Sequence, residues 1–463
     1  MKHFNYIKYF FTVFTLATGL FSCEKFIEVD LPTDQLTTQS VFSNDESALA
    51  AIRGLYSEIT KNNVYIGHGA MSVYPALSAD ELNTNSGDPT EIAYVNNAIP
   101  VNSFPLLTNI WQKGYFHIYQ ANAILENLSI SNDISPAVKD QISGEAKFFR
   151  AFFHFYLVNL FGPVPLAMTT DYRNNAIIAR SDTAIVYQQI VADLLDAQKL
   201  VSTNYPTPEK VRVNKWAVTA FLARVYLYLK DWTQAEIEVS NVINSSAYKL
   251  STLNNTFLPT SSETILQFLP PITQIWNTSE GFSFLPFSSL ASPSYSLTNS
   301  LMGSFEPGDE RKTNWVNSMA VNNITYYYPF KFKVKSVTAG APKTEYSVVL
   351  RLGEQYLIRA EARANLNNLG GAQSDLNLIR SRAGLSNTTA NDKVNLLLAI
   401  QKERQIELLC EWGHRWFDLK RTGRIDNILS AIKGSNWQPT DALYPIPQNE
   451  MLTNSSLTQN PGY

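Results

Sequence analysis

LRLGEQYLIRAEARANLNN at residues 350–368, LGGAQSDLNLIRSRAGL at 369–385 and IQKERQIELLCEWGHRWFDLKRTGR at 400–424 decide how this chain is read. Leu352, Tyr356, Ala360 and Ala364 recur every four residues, which sets them on one face of a helix. A turn at Leu369-Gly370-Gly371 brings back a second helix with Leu376, Ile379 and Ala383 as its stripe. Two helices of this kind cannot bury their apolar faces alone, so the chain must supply stacked neighbours.

It does. Residues 215–243 read KWAVTAFLARVYLYLKDWTQAEIEVSNVI, where Leu222-Ala223-x-x-Tyr226 is followed nine residues later by Ala235. That is the spacing with which a tetratricopeptide repeat seats its second helix. Leu352-Gly353-x-x-Tyr356 repeats the small-residue core, with Gly expected to admit a second helix closely. Further helices are expected near 43–60, opened by a Ser43/Glu46 capping box with Ala48, Ile52, Leu55 and Ile59 inward. Others follow from about Asn109, from Pro136 behind Ser135 to the Gly162-Pro163 stop, and from Asp182 to Leu200. The segment AKFFRAFFHFYLVNLFG is apolar almost all round and belongs at the centre of its layer, with His154 a core histidine.

Two stretches break this periodicity. From Gly67 to Pro105 the chain is punctuated by Gly, Pro, Asn and Asp, and from Tyr248 to Tyr346 by Ser, Thr, Asn, Pro and many aromatics. Tyr326 to Val334 alternates as a strand, in a hairpin. Non-helical excursions this long are more often functional than idle. The chain therefore divides into a leader at 1–22, a tether at 23–43, a helical region at 44–247, a loop-rich insertion at 248–348, and a helical region with an extended tail at 349–463.

The leader places Lys2, His3 and Lys8 before an apolar run from Tyr9 to Leu20, too short to span a membrane. Removing Lys2 and Lys8 takes the net charge from −3 to −5, so no positive field attracts nucleic acid. The run ends at Leu20-Phe21-Ser22-Cys23, which resembles a bacterial lipobox whose Cys23 receives the lipid, with Phe21 unusual at its position. Acyl chains would then hold the protein at a membrane. Only Cys410 remains, read as a buried apolar residue, so core packing and not a disulfide must stabilise the chain.

Four stretches in order resemble the SusD/RagB family of outer-membrane lipoproteins. They are FFRAFFHFYLVNLFGPVPL at 148–166, residues 351–385, ERQIELLCEWGHRWFDLKRTGR at 403–424, and the closing LYPIPQNE…QNPGY. Cys410 and Trp412 stand where that family more usually has small residues or Gly. The resemblance implies a mainly α fold, a solenoid frame of four TPR-like pairs with long irregular loops and minor β hairpins. It also implies exposure on a Bacteroidota-type outer membrane, where the protein would hand captured glycan to a SusC-like TonB-dependent transporter. The helical side would face the transporter and the loops would hold the ligand.

Catalysis has little support in the residues. Glu403, Glu407 and Glu411 line one helix face, whereas glycosidase carboxylates flank the sugar from separate elements. Arg404, Arg415, Lys420 and Arg421 stand near enough to neutralise them, making an ion-pair network. His68, His117, His154 and His414 lack metal-ligand spacing, and no phosphate-binding Gly loop occurs, so no cofactor or metal is expected. Binding is better founded: aromatic rings in loops can stay exposed for the C–H faces of sugars, while hydroxyls bond to Asn and Asp. Trp276, Tyr295 and Trp315 are the expected stacking residues, with Asp80, Glu81 and Asn83 as polar partners. Burial of these rings in a satellite core under the loops remains open, as do peptide binding and a scaffold without ligand.

Overall fold

Asn44 opens the first helix, α1 (Asp45–Thr60), by accepting a hydrogen bond from the Ser47 backbone N–H at 3.0 Å. The cap thus falls one residue beyond Ser43, because the extended Asn44 backbone aims its short amide at the orphan donor. Ala48, Ile52, Leu55 and Ile59 are its buried stripe, as the spacing requires. The computed structural model describes residues 41–62 and 64–463; Cys23, the leader and the rest of the tether lie outside them.

Eight longer helices complete the frame: α2 (Lys113–Ile130), α3 (Pro136–Phe161), α4 (Thr183–Leu200), α5 (Lys215–Leu229), α6 (Trp232–Asn244), α7 (Leu352–Asn365), α8 (Leu369–Arg382) and α9 (Lys393–Glu407). Each of α3 to α9 packs on the helix before it, and α1 lies across α2 and α3. Stacked helix pairs are present as expected, α5 with α6 and α7 with α8 among them. Helix α3 is the axis of the frame: Phe148, Phe149, Phe152, Phe153 and Phe155 are fully buried, and Phe148 and Phe155 meet Phe221 of α5 edge to face. Each such ring contributes about 1.5–3 kcal/mol by burial. Left-handed Gly162 (φ 72°) ends the helix, and the tail locks that end, with the Asn460 amide donating to Phe161 O and Tyr444 O.

The α7/α8 turn lies at 366–368, where Asn367 is left-handed and Asn368 caps Gly371; Leu369-Gly370-Gly371 already form the first turn of α8. Gly353 serves something other than a close helix. A Cβ there would lie 2.5 Å from Arg351 Nη1, 2.8 Å from Glu263 Oε1 and 3.0 Å from Glu407 Oε1. The glycine makes room for a buried ion cluster.

That cluster fastens the insertion to the frame. Arg351 reaches Glu411 (2.9 Å), Glu263 (3.0 Å) and Glu407 (2.5 Å), while Arg311 reaches Glu403 (2.6 Å) and Glu407 (3.1 Å). Lys331 meets Glu411 at 2.5 Å. The three aligned glutamates are structural, as expected, but their cations come from distant segments. Arg404 and Arg421 bind Asp418, Arg415 binds Asp80, and Lys420 donates to Asn159 O. Geometry explains the difference: α9 ends at Glu407, so Glu411 lies in the turn beyond it, and Arg415, Lys420 and Arg421 lie on a separate helix, α10 (His414–Arg421). Cys410 is buried, as expected, and both Cys410 and Trp412 in that turn are left-handed (φ 51° and 46°), the backbone state that favours Gly.

Both excursions hold more helix than their sequence shows. Ala70–Ser78 is a helix buried at every residue, so no polar face marks its period. Pro89–Val95 is a second, capped by Asp88. Helical geometry also begins before Asn109, as a π-helical run Pro105–Gln112 leading into α2. Strand β1 (Leu82–Thr84) lies in the first excursion; β2 (Thr264–Phe268), β3 (Tyr295–Leu297), β4 (Val316–Val321), β5 (Ile324–Pro329) and β6 (Ser347–Arg351) lie in or end the second. β4 and β5 form the expected hairpin around left-handed Asn322-Asn323, which ends at Pro329 short of Val334. No helix among the described residues is long and apolar enough to cross a membrane.

Candidate functional site

The two excursions meet. β1 pairs antiparallel with β3, setting Leu82 opposite Leu297, Asn83 opposite Ser296 and Thr84 opposite Tyr295. The Glu91 carboxylate fastens the junction by accepting from the hydroxyls of Tyr295 (2.5 Å), Thr84 (2.5 Å) and Ser86 (2.6 Å). The Asn85 amide adds a bond to Pro293 O at 3.0 Å.

The expected site residues separate at this junction. Trp315 is 0% exposed; it packs with Phe257, Phe332, Leu253 and Val348, and its indole N–H donates to Leu253 O at 2.9 Å. It is the centre of a satellite core and has no face for a ligand. Tyr295 is also buried, its ring against Phe284 and its hydroxyl on Glu91. Burial and the neighbouring carboxylate raise its phenol pKa, so it stays protonated. Asp80 is 2% exposed and held by both sides of the Arg415 guanidinium at 2.7 Å. Glu81 accepts from Cys410 N at 3.0 Å, and burial pushes its carboxyl up to about 8, so it is a neutral core acid at pH 7. Asn83 is exposed beside β3, and Trp276 is half-buried.

Around Trp276 the rings remain partly open. Trp276 and Phe282 lie 6.0 Å apart, and Phe282 and Phe287 lie 5.8 Å apart, edge to face. Phe287 is 74% exposed. The Lys335 ammonium sits 4.0 Å over Phe287 and 4.8 Å over Phe282, donating to Phe282 O and Leu285 O. Phe282 and Phe284 share the short helix Ser279–Phe284, so this platform adjoins the β1–β3 junction through Phe284 and Tyr295. Residues 268–272, just before Trp276 in the chain, form one wall of a cleft of about 600 Å³, lined also by Tyr56, Tyr346, Thr207, Pro342 and Lys343 among others. Lys343 joins cleft to platform, donating to Gln274 O (2.5 Å) and Trp276 O (2.9 Å). Phe282, Phe287, Lys335 and Lys343, which surround Trp276 here, are not among the residues the sequence singled out. The one available signal was lysines recurring in KFKVK (331–335) beside a stretch almost free of charge.

The fold is a solenoid of stacked helices carrying a loop-built, ring-bearing surface. Residues 25–227 match a family model described as starch-binding associating with outer membrane, and residues 310–463 match that of the SusD family. The chain belongs to the SusD/RagB family. SusD-like protein P25 of Formosa agariphila is 26% identical, over 99% of this chain and 98% of its own. SusD-like protein P38 of the same organism is 24% identical over the full length of both. A SusD superfamily protein from Bacteroides vulgatus has the same fold, with a TM-score of 0.80 at 21% identity over 91% of this chain and all of that one. A laminarin-binding SusD-like protein aligns with a TM-score of 0.76 at 24% identity, again over 91% and 100%.

Proposed function

We propose that the protein binds oligosaccharide on the Trp276–Phe282–Phe287 platform and passes it to a SusC-like TonB-dependent transporter in the outer membrane. The observation that carries this reading is Phe287, a large ring left 74% exposed in ring-to-ring contact inside a loop. Exposing such a ring forgoes about 1.5–3 kcal/mol of burial, which stacking against the C–H face of a sugar recovers. Asn83, exposed at the junction, is the polar partner that the geometry leaves available. Support also comes from the laminarin-binding relative in fold and from the starch-binding family description. Lipid on Cys23 would hold the protein at the cell surface, and Cys23→Ser would then release it from the membrane fraction.

The reading assigns binding rather than catalysis, since the aligned glutamates Glu403, Glu407 and Glu411 are occupied by guanidinium and ammonium groups. Glycan arrays followed by calorimetry test it. Trp276→Ala or Phe287→Ala is expected to weaken saccharide binding at least tenfold with melting temperature changed little. Retained binding in both variants would move the site elsewhere, and binding of peptides alone would replace sugar with peptide as the ligand.

A further inference from the structure

We infer that the saccharide is acidic, carrying carboxylate or sulfate groups that the cations of the platform and cleft receive. The inference rests on the platform reading above and adds the charge of the ligand. Between Glu263 and Glu306 the sole charged residue is Glu280, buried and held by the hydroxyls of Ser347 and Ser72. Burial raises that carboxyl's pKa. Against it stand Lys335 and Lys343, each holding two backbone carbonyls and keeping a third N–H in reserve.

Neither ammonium belongs to an ion pair among the described residues. The arginines buried in the frame differ: Arg150, Arg224, Arg351, Arg404 and Arg421 all lie against carboxylates. The cleft repeats the pattern. Its lining includes Arg53, Arg212 and Lys343 but no Asp or Glu, and of these only Arg212 is neutralised, by Glu145 behind the wall. The Thr207 hydroxyl in the same lining is buried without a partner among the described residues. Rings for sugar faces, a spare hydroxyl and uncompensated cations together suit a uronate or sulfated sugar better than a neutral one. Charge-assisted bonds of this kind are stronger than neutral ones and weaken with salt.

The test uses the mature chain and calorimetry with oligogalacturonate, a sulfated galactan oligosaccharide and a neutral β-glucan oligosaccharide, each at low and at physiological salt. The expected result is that an acidic probe binds at least tenfold more tightly than the neutral one and loses affinity as salt rises. Lys335→Gln, at a half-exposed position, should cut acidic binding about tenfold with the melting temperature unchanged. Lys343 is buried and its variant risks the fold, so the salt dependence of the unaltered protein stands in for it. Equal, salt-independent binding of the neutral probe overturns the inference and leaves the platform standing. Acidic binding untouched by Lys335→Gln also overturns it, whereas acidic and neutral binding both untouched by Trp276→Ala and Phe287→Ala removes the platform reading itself.

Discussion

Arg351 shows how a single side chain can hold two parts of a molecule together. Its guanidinium touches Glu263 from the insertion and Glu407 and Glu411 from the frame, and glycine at 353 leaves it space. Nearby carboxylates, set against desolvation, keep it charged, and in turn the arginines and Lys331 hold the Glu407 carboxyl well below its usual range. Arg351→Met leaves three acids short of one cation in a buried site. Breaking a buried pair from one side costs about 3–5 kcal/mol, and urea denaturation should show a loss of that size. A loss below about 1 kcal/mol would mean that Arg311, Lys331 and Arg382, which also reaches Glu263 (2.6 Å) and Glu407, suffice without it.

At the scale of elements, the decisive join is the short β1–β3 ladder, because it fixes the first excursion against the second. Glu91 is its fastener. Glu91→Ala deprives the buried Tyr295 hydroxyl of its acceptor and frees Thr84 and Ser86, at about 1–3 kcal/mol for the orphaned hydroxyl. Hydrogen exchange should speed up at 82–84 and 295–297 and stay unchanged along α3; equal protection in both states would show that backbone pairing alone holds the join. The helices of the frame were legible from a buried stripe, as in α1, or, where burial runs almost all round as in α3 and α5, from length, caps and repeat spacing. The helix Ala70–Ser78 offered neither: it is nine residues long, holds Pro75, and is buried on all sides. Trp276 and Trp315 look alike in sequence, both in Asn- and Thr-rich loops, yet one is half-open and the other wholly enclosed. What separates them is a long-range choice: Trp315 finds Leu253 O and Phe257, dozens of residues away. Asp80 and Glu81, expected as polar partners of a ligand, are buried for the same reason: Arg415 and Cys410 N, which hold them, come from the far end of the chain.

Across the whole molecule, one core draws on residues from both helical regions and the insertion, so a proton taken up anywhere inside it is felt as stability. Burial is the first cause that lowers the pKa of His68 to about 4, His117 to about 4 and His154 to about 3. All three are therefore neutral in the fold at pH 6, while the same residues in the unfolded chain are beginning to take up protons near 6.5. The unfolded state binds more protons below 6.5, so this contribution to stability shrinks as pH falls from about 6.5 toward 4 and levels off below the folded values. Each histidine contributes a slope of about 1.4 kcal/mol per pH unit within that window. Glu81 works the other way, since its raised folded pKa favours the native state at acid pH and that contribution is lost between the ordinary carboxylate range and about 8. Comparing variants cancels such terms. His154 donates through Nδ1 to Arg150 O at 2.9 Å and leaves Nε2 without a partner among the described residues, so His154→Gln removes the titration while keeping a donor. Denaturation free energies measured from pH 6.5 to 4.5 should then fall less steeply in the variant, by about 1.4 kcal/mol per unit. An unchanged slope would show that protons reach the wild-type ring within the folded state, and that the aromatic wall of α3 is wetter than its packing requires.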